Sequence, residues 1–220
     1  MKMGFGIKLE VWGDYALFTR PEMKVERVSY DVITPSAARG LIEAIYWKPA
    51  IKWIIDKIHV YNKIQFTNIR RNEVSVKISK SNAKALMEGS KKVDYIDTNE
   101  HRQQRAAMIL KDVRYIIEAH FELTERAGKD DTVEKHYNIA LRRMRTGQCY
   151  HTPYLGCREF PANFKLVEDE SIKPSYLGEQ DLGFMLYDMD FSDPENIYPV
   201  FFRAKMVNGV IDLKNISKVG

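Results

Sequence analysis

The chain has 220 residues, 45% of them hydrophobic, and a formal net charge of +4, enough apolar material for one medium domain or one domain with a small appended lobe. Two cysteines, Cys149 and Cys157, call for no disulfide framework, and no run approaches the roughly 18 apolar residues of a membrane span, so the expectation is a cytoplasmic protein with neutral thiols. From Glu168 onward ten acidic side chains face five basic ones, which leaves residues 1–167 at +9, the balance of a polyanion-binding body with an acidic C-terminal part.

Residues 5–12 alternate, with Phe5, Ile7, Leu9 and Val11 on one side, which predicts a half-buried first strand. Gly13 and Asp14 read as a turn after it. Thr34-Pro35 supplies an N-cap hydroxyl and a proline at the first helical position. Ala38, Leu41, Ile42 and Ile45 then recur at helical spacing until Pro49. Residues 51–61 predict a buried second strand. Over 62–108 the chain carries ten basic and five acidic residues; Ile64, Phe66, Val74, Val76 and Ile78 suggest a strand pair around Arg70-Arg71-Asn72. The polar stretch through Gly89, Ser90, Lys91 and Lys92 reads as a mobile loop. Residues 113–123 form a third strand.

A second helix is expected over 132–145, with Asp131 as N-cap and Glu134 completing a capping box. Val133, Tyr137, Ala140, Leu141 and Met144 make its apolar stripe. A strand at 159–167 follows, then strands at 183–191 and 198–213 with an Asn208-Gly209 hairpin turn. The fold class is therefore α+β: a ferredoxin-like (RRM-like) β-α-β-β-α-β domain over 1–167, with an inserted basic hairpin at about 62–108. A small antiparallel β lobe occupies 168–220.

The candidate chemistry centres on the second helix. Lys135 and His136 lie in its opening turns, where free N–H groups and the helix dipole attract phosphate, and Arg142, Arg143 and Arg145 lie in its last ones. Such a run is ordinarily a solvated basic face, but His136 sits beside the apolar stripe with Arg143 on the same line. Tyr46 ends the first helix on the rim of its apolar face, where an aromatic is ordinarily a core residue. If both helices pack on one face of a sheet, Tyr46 and Lys135-His136 could share a site. His59 and His120 fall inside strands and read as packed or paired; His101 lies in the insert, and His151 follows the second helix as an auxiliary candidate. No Gly-rich phosphate loop, zinc spacing or paired-carboxylate cluster appears, so no cofactor or metal is called.

Four segments occur in an order that is familiar: Gly13-Asp14-Tyr15-Ala16-Leu17-Phe18, Ile45-Tyr46-Trp47-Lys48-Pro49, Lys135-His136-Tyr137 and Tyr154-Leu155-Gly156-Cys157-Arg158-Glu159-Phe160. Together they resemble the Cas-five subunit of type I-C (Dvulg) CRISPR systems, a RAMP-superfamily family, through about residues 5–167 and more loosely into Phe202–Leu213. The resemblance implies an endoribonuclease that cleaves CRISPR repeat precursor RNA and stays on the mature crRNA beside other type I-C interference-complex subunits; with the motif match and no metal-ligand spacing in the chain, the cleavage is expected to be metal-independent. Its catalytic Tyr, Lys and His match Tyr46, Lys135 and His136. Arg142, Arg143, Arg145, Arg70 and Arg71 are the expected RNA grip. The alternative is a non-catalytic scaffold holding the crRNA handle, with double-stranded DNA a further partner for the basic insert.

RNA supplies its own nucleophile. A 2′-OH attacking the adjacent phosphate leaves a 2′,3′-cyclic phosphate (or 3′-phosphate) and a 5′-OH, and the protein must align, deprotonate and stabilise charge. By residue type an imidazole is mostly neutral near pH 7 and a phenol scarcely ionised. His136 is therefore the better base, Tyr46 an orienting group and Lys135 the phosphate clamp, with the general acid left open.

Overall fold

The computed structural model describes residues 5–23, 25–90, 95–168 and 176–220. Lys91 and Lys92 of the expected loop lie outside them. Chain order is β1 (Gly6–Ala16), β2 (Arg27–Val28), α1 (Pro35–Ile45), β3 (Ile51–Val60), β4 (Phe66–Val74), α2 (Lys80–Met87), β5 (Arg102–Leu123), α3 (Val133–Thr146), β6 (Asn163–Leu166), β7 (Glu179–Asp190), β8 (Tyr198–Val207), β9 (Val210–Asp212) and β10 (Lys218–Val219). This is a mixed α+β protein with a mostly antiparallel sheet.

The centre of the sheet runs β3-β5-β1-β6, every pairing antiparallel. Its register separates two faces, because residues directly opposite share a side. Leu9 opposes Ile117, Ile7 opposes Ala119 and Trp53 opposes Phe121, so one face is apolar. It joins Leu41, Ile42 and Ile45 of α1 and Ala140 and Met144 of α3 in a single core. Lys8 and Lys57, on the other face, both oppose Glu118. A bulge at Asp56 keeps Ile55 and Ile58 both facing the core. It also leaves the Asp56 carboxylate bonded to His120 Nδ1 at 2.8 Å, while His59 Nε2 meets Glu118 Oε1 at 2.9 Å. Both strand histidines are paired, as their positions predict.

Several elements differ from the sequence reading. β1 runs straight through Gly13, which opposes Val113 rather than turning; a Cβ there would meet Leu155 Cδ1 at 2.6 Å, so this glycine serves packing. α1 stops at Ile45, ahead of Pro49, because Tyr46 is already extended. Arg70-Arg71-Asn72 is not a turn: β4 passes through it and pairs with Arg102–Leu110, the first half of a 22-residue β5. A short helix, α2, whose eight residues bury none of their side chains, occupies part of the expected loop. β5 exchanges partners near Asp112, whose φ of 50° is held by Asn62 Nδ2 donating to its carbonyl and carboxylate. The Asn208-Gly209 turn forms as expected, with φ of 48° and 77°. It returns the chain as β9, which pairs with β3 and joins the C-terminal strands to the same sheet.

Candidate active site

Two helix ends meet over the sheet. Tyr46, the C-cap of α1, has φ −149° and ψ 116°, and its N–H still donates to Ile42 O. That extended residue turns its ring back into the core, where Trp53 Nε1 donates to its carbonyl at 2.9 Å. α3 starts after Thr132, whose Oγ1 accepts from Lys135 N at 3.2 Å; Thr132, not Asp131, is the N-cap. Starting there, the helix points His136 inward at Phe121 and Tyr46. Tyr46 Oη lies 2.7 Å from His136 Nδ1, and His136 Nε2 lies 3.1 Å from Asp131 Oδ1. The predicted convergence of the two helices on one site is thus present, 90 residues apart in the chain.

Both rings are enclosed, Tyr46 at 1% exposure and His136 at 2%. Burial, the largest influence, pushes the Tyr46 phenol up; the Arg143 cation opposes it and Asp131 adds to it, so the phenol keeps its proton at neutral pH. The Asp131 carboxyl is held below its ordinary range, first by the Gly128 N–H donating to it and then by Lys135 and His136. An ionised carboxylate only accepts hydrogen bonds, so the proton in the His136–Asp131 contact belongs to His136 Nε2. In the neutral imidazole Nδ1 is then the acceptor for the Tyr46 hydroxyl.

Lys135 is the solvent-facing member. Its side chain is 48% exposed and stands 3.6 Å from Asp131 Oδ1, with Nζ donating to Asp130 O at 3.0 Å. The arginines divide. Arg142 is exposed and makes no ion pair among the described residues. Arg143 donates to Ile45 O at 2.8 Å and lies 5.2 Å over the Tyr46 ring, tying α3 to the end of α1. Arg145 pairs with Glu168 at 2.7 Å. Arg70 and Arg71 sit on β4, away from this site; Arg70 is exposed, and Arg71 pairs with Glu159. His151 is exposed against Tyr150, and His101 offers its carbonyl to Ser75 just beyond Val74 and Arg102, at the far end of the β4–β5 pairing. Cys149 is exposed, while burial pushes the Cys157 thiol up.

The sequence reading missed Asp131, having spent it on a cap. The signal was the Asp131-Thr132 tandem: only one of two adjacent cap formers can cap, and when Thr132 does so Asp131 is free to turn toward His136.

Residues 6–214 match the family model for CRISPR-associated protein (Cas_Cas5), in its Cas5d form. The CRISPR pre-crRNA endoribonuclease Cas5d of Mannheimia succiniciproducens is 54% identical over 213 residues, 94% of each chain. The protein of the same name from Thermus thermophilus is 39% identical, covering 94% of this chain and 90% of its own. Among solved structures, a CRISPR-associated protein superposes with a TM-score of 0.69 at 27% identity, over 96% of this chain and 92% of that one. A functionally uncharacterized Streptococcus mutans protein does so with the same TM-score at 25% identity and the same coverage. A family model spanning nearly the whole length, together with relatives this similar, makes one assignment: the chain belongs to the Cas5d family of CRISPR-associated proteins.

Proposed function

We infer that this chain is a CRISPR pre-crRNA endoribonuclease. It binds repeat RNA and cuts it through attack of a ribose 2′-OH, with Tyr46, Lys135 and His136 as the chemical groups and no metal required. The observation that carries the assignment of these groups is the 2.7 Å contact between Tyr46 Oη and His136 Nδ1, which joins the ends of two helices inside the core, both side chains almost wholly buried. Family membership supports the reaction class, since the two relatives named as endoribonucleases align over nearly the whole chain. The order β3-β5-β1-β6, with α1 and α3 as crossovers, supports a ferredoxin-like body over 1–167 with β4 and part of β5 as its basic hairpin. Residues 168–220 are the second, β-rich part.

In this reading Lys135 meets the scissile phosphate first. Tyr46 and His136 are enclosed in the RNA-free protein, so the substrate must draw the covering side chains aside before the 2′-OH reaches this pair. Binding energy from Arg142 and the exposed cations of the hairpin is available for that opening. After cutting, the protein stays on the crRNA and assembles with the other type I-C interference-complex subunits. Burial of Tyr46 and His136 is the one observation that favours the second reading, a scaffold that binds the crRNA handle without cutting. Repeat RNA from the chain's own CRISPR locus separates them. Wild type is expected to bind and cut it in the presence of chelator, and His136→Ala to bind but not cut. Tight binding with no cutting by wild type would establish the scaffold instead, and cutting abolished by chelator would refute the metal-free route. Random duplex DNA, held through the hairpin cations, is expected to bind only at low salt.

A further inference from the structure

Asp131 is not a helix cap. Its two carboxylate oxygens have separate partners: Oδ2 accepts from Gly128 N at 2.9 Å, and Oδ1 faces His136 Nε2 at 3.1 Å. Gly128 N–H can only donate, so it fixes Oδ2 as an acceptor and leaves Oδ1 for the imidazole. His136 is enclosed by Tyr46 on one nitrogen, Asp131 on the other, and the Phe121 edge beside its ring. It therefore has no free nitrogen with which to meet RNA. The charged and titratable groups around the pair are Tyr46 from the end of α1, Asp131 and Lys135 at the start of α3, and Arg143 from the last turn of α3, over the Tyr46 ring.

We propose that Asp131 is a positioning residue that fixes the His136 tautomer, so that the 2′-OH proton leaves by way of Tyr46. The inference rests on the ribonuclease reading above and adds the proton's route. The 2′-O–H bond breaks and its proton goes to Tyr46 Oη, as the Tyr46 proton passes to His136 Nδ1. The 2′ oxygen forms its bond to phosphorus. The P–O5′ bond breaks with its electron pair on the 5′ oxygen, which takes a proton from water, and the hydroxide so formed collects the proton from the imidazolium. Asp131 accepts Nε2–H throughout and stabilises that imidazolium. Tyr46 never has to be a phenolate in the resting protein, in keeping with its burial. This route differs from the simpler one in which His136 takes the 2′-OH proton directly.

Asp131→Asn tests the role with little change of shape. Gly128 N–H still demands an oxygen, so the Asn amide must turn its NH2 toward His136 Nε2. That nitrogen can then only accept, and Nδ1 acquires the hydrogen and can no longer take the Tyr46 proton. Long-range 1H–15N correlation spectra of the RNA-free protein read this directly. Wild type is expected to show His136 protonated at Nε2 and not Nδ1, and Asp131→Asn the reverse. The variant should cut repeat RNA about 10²- to 10⁴-fold more slowly at pH 7, with its Kd for that RNA within about twofold of wild type. Asp131→Glu, which restores the charge, should recover at least about tenfold of the lost rate.

A wild-type spectrum with the hydrogen on Nδ1 overturns the proposal whatever the variants do. So does an Asp131→Asn protein that cuts at the wild-type rate, or one whose rate, RNA affinity and melting temperature fall together. A wild type that shows the expected tautomer but never cuts repeat RNA overturns the ribonuclease reading itself, and the catalytic role of Asp131 with it.

Discussion

At neutral pH Tyr46 holds its proton, because burial raises the phenol further than the neighbouring Arg143 cation lowers it. If this hydrogen-bonded tyrosine and imidazole act as one unit in the proposed reaction, they respond to mutation non-additively. Tyr46→Phe and His136→Ala are each expected to slow cleavage about 10²- to 10⁴-fold. The double variant should be scarcely slower than either, measured by single-turnover cleavage of repeat RNA; multiplied losses would mean that the two act separately. Arg143→Leu should cost about 1 to 2 kcal/mol of stability through the Ile45 carbonyl it leaves unpaired, read as a lower denaturation midpoint. At this scale Tyr46 and His136 were legible because each borders the apolar stripe of its own helix. Arg143 was legible as a cation in line with His136, but not as the group that ties Ile45 and stacks on Tyr46. Asp131 was illegible as long as it was assigned to a cap, because spacing alone does not say which of two adjacent cap formers takes the helix.

The elements owe their ends to single residues. Thr132→Ala should destabilise the protein by about 1 kcal/mol in thermal or denaturant unfolding, whereas Asp131→Asn should leave stability nearly unchanged, since Thr132 is the residue that caps. On the sheet face away from the helices, Glu118 ties β3 to β5. The His59 hydrogen bond, against an opposing cost of burial and with help from Lys8 and Lys57, lowers its carboxyl to about 2. A carboxyl depressed in the folded state adds stability that is complete above its unfolded pKa and lost as pH falls through the folded one. Wild type should therefore lose on the order of 2 to 3 kcal/mol between about pH 5 and pH 2 through this group. Glu118→Gln should be less stable than wild type at pH 7, and the gap should close toward pH 2; a gap constant with pH would contradict the assignment. Strand and helix interiors were readable from period and burial, as Ile7, Leu9 and Val11 illustrate. β4 was not, because a hairpin arm exposed on alternate residues carries Asn68, Arg70 and Asn72 where a core strand would carry apolar ones. α2 buries nothing, so it leaves no hydrophobic period to detect.

Across the whole molecule one sheet connects the two ends of the chain. β9 lies beside β3, and Arg39 of α1 grips Asp188 of β7 with both Nε and Nη2, at 3.0 and 2.9 Å. That long-range closure was not readable, since the acidic composition of the C-terminal part suggested a separate lobe and gave no pairing partner. The uneven charge was readable; in the proposed function the enclosed groups at the helix junction do the chemistry and exposed cations such as Arg70 and Arg142 supply grip. Replacing either by Ala should weaken repeat-RNA binding and reduce the slope of log affinity against log salt by about 0.7 to 0.9. A slope that does not move would remove that residue from the interface. The reaction itself is tested most directly by a repeat RNA carrying a single 2′-deoxy substitution at the scissile nucleotide, with end-group analysis of the unmodified products. The account predicts a 2′,3′-cyclic or 3′-phosphate and a 5′-OH from unmodified RNA, and binding without cleavage of the substituted one; continued cutting of the 2′-deoxy RNA, or products ending in 3′-OH and 5′-phosphate, would contradict it.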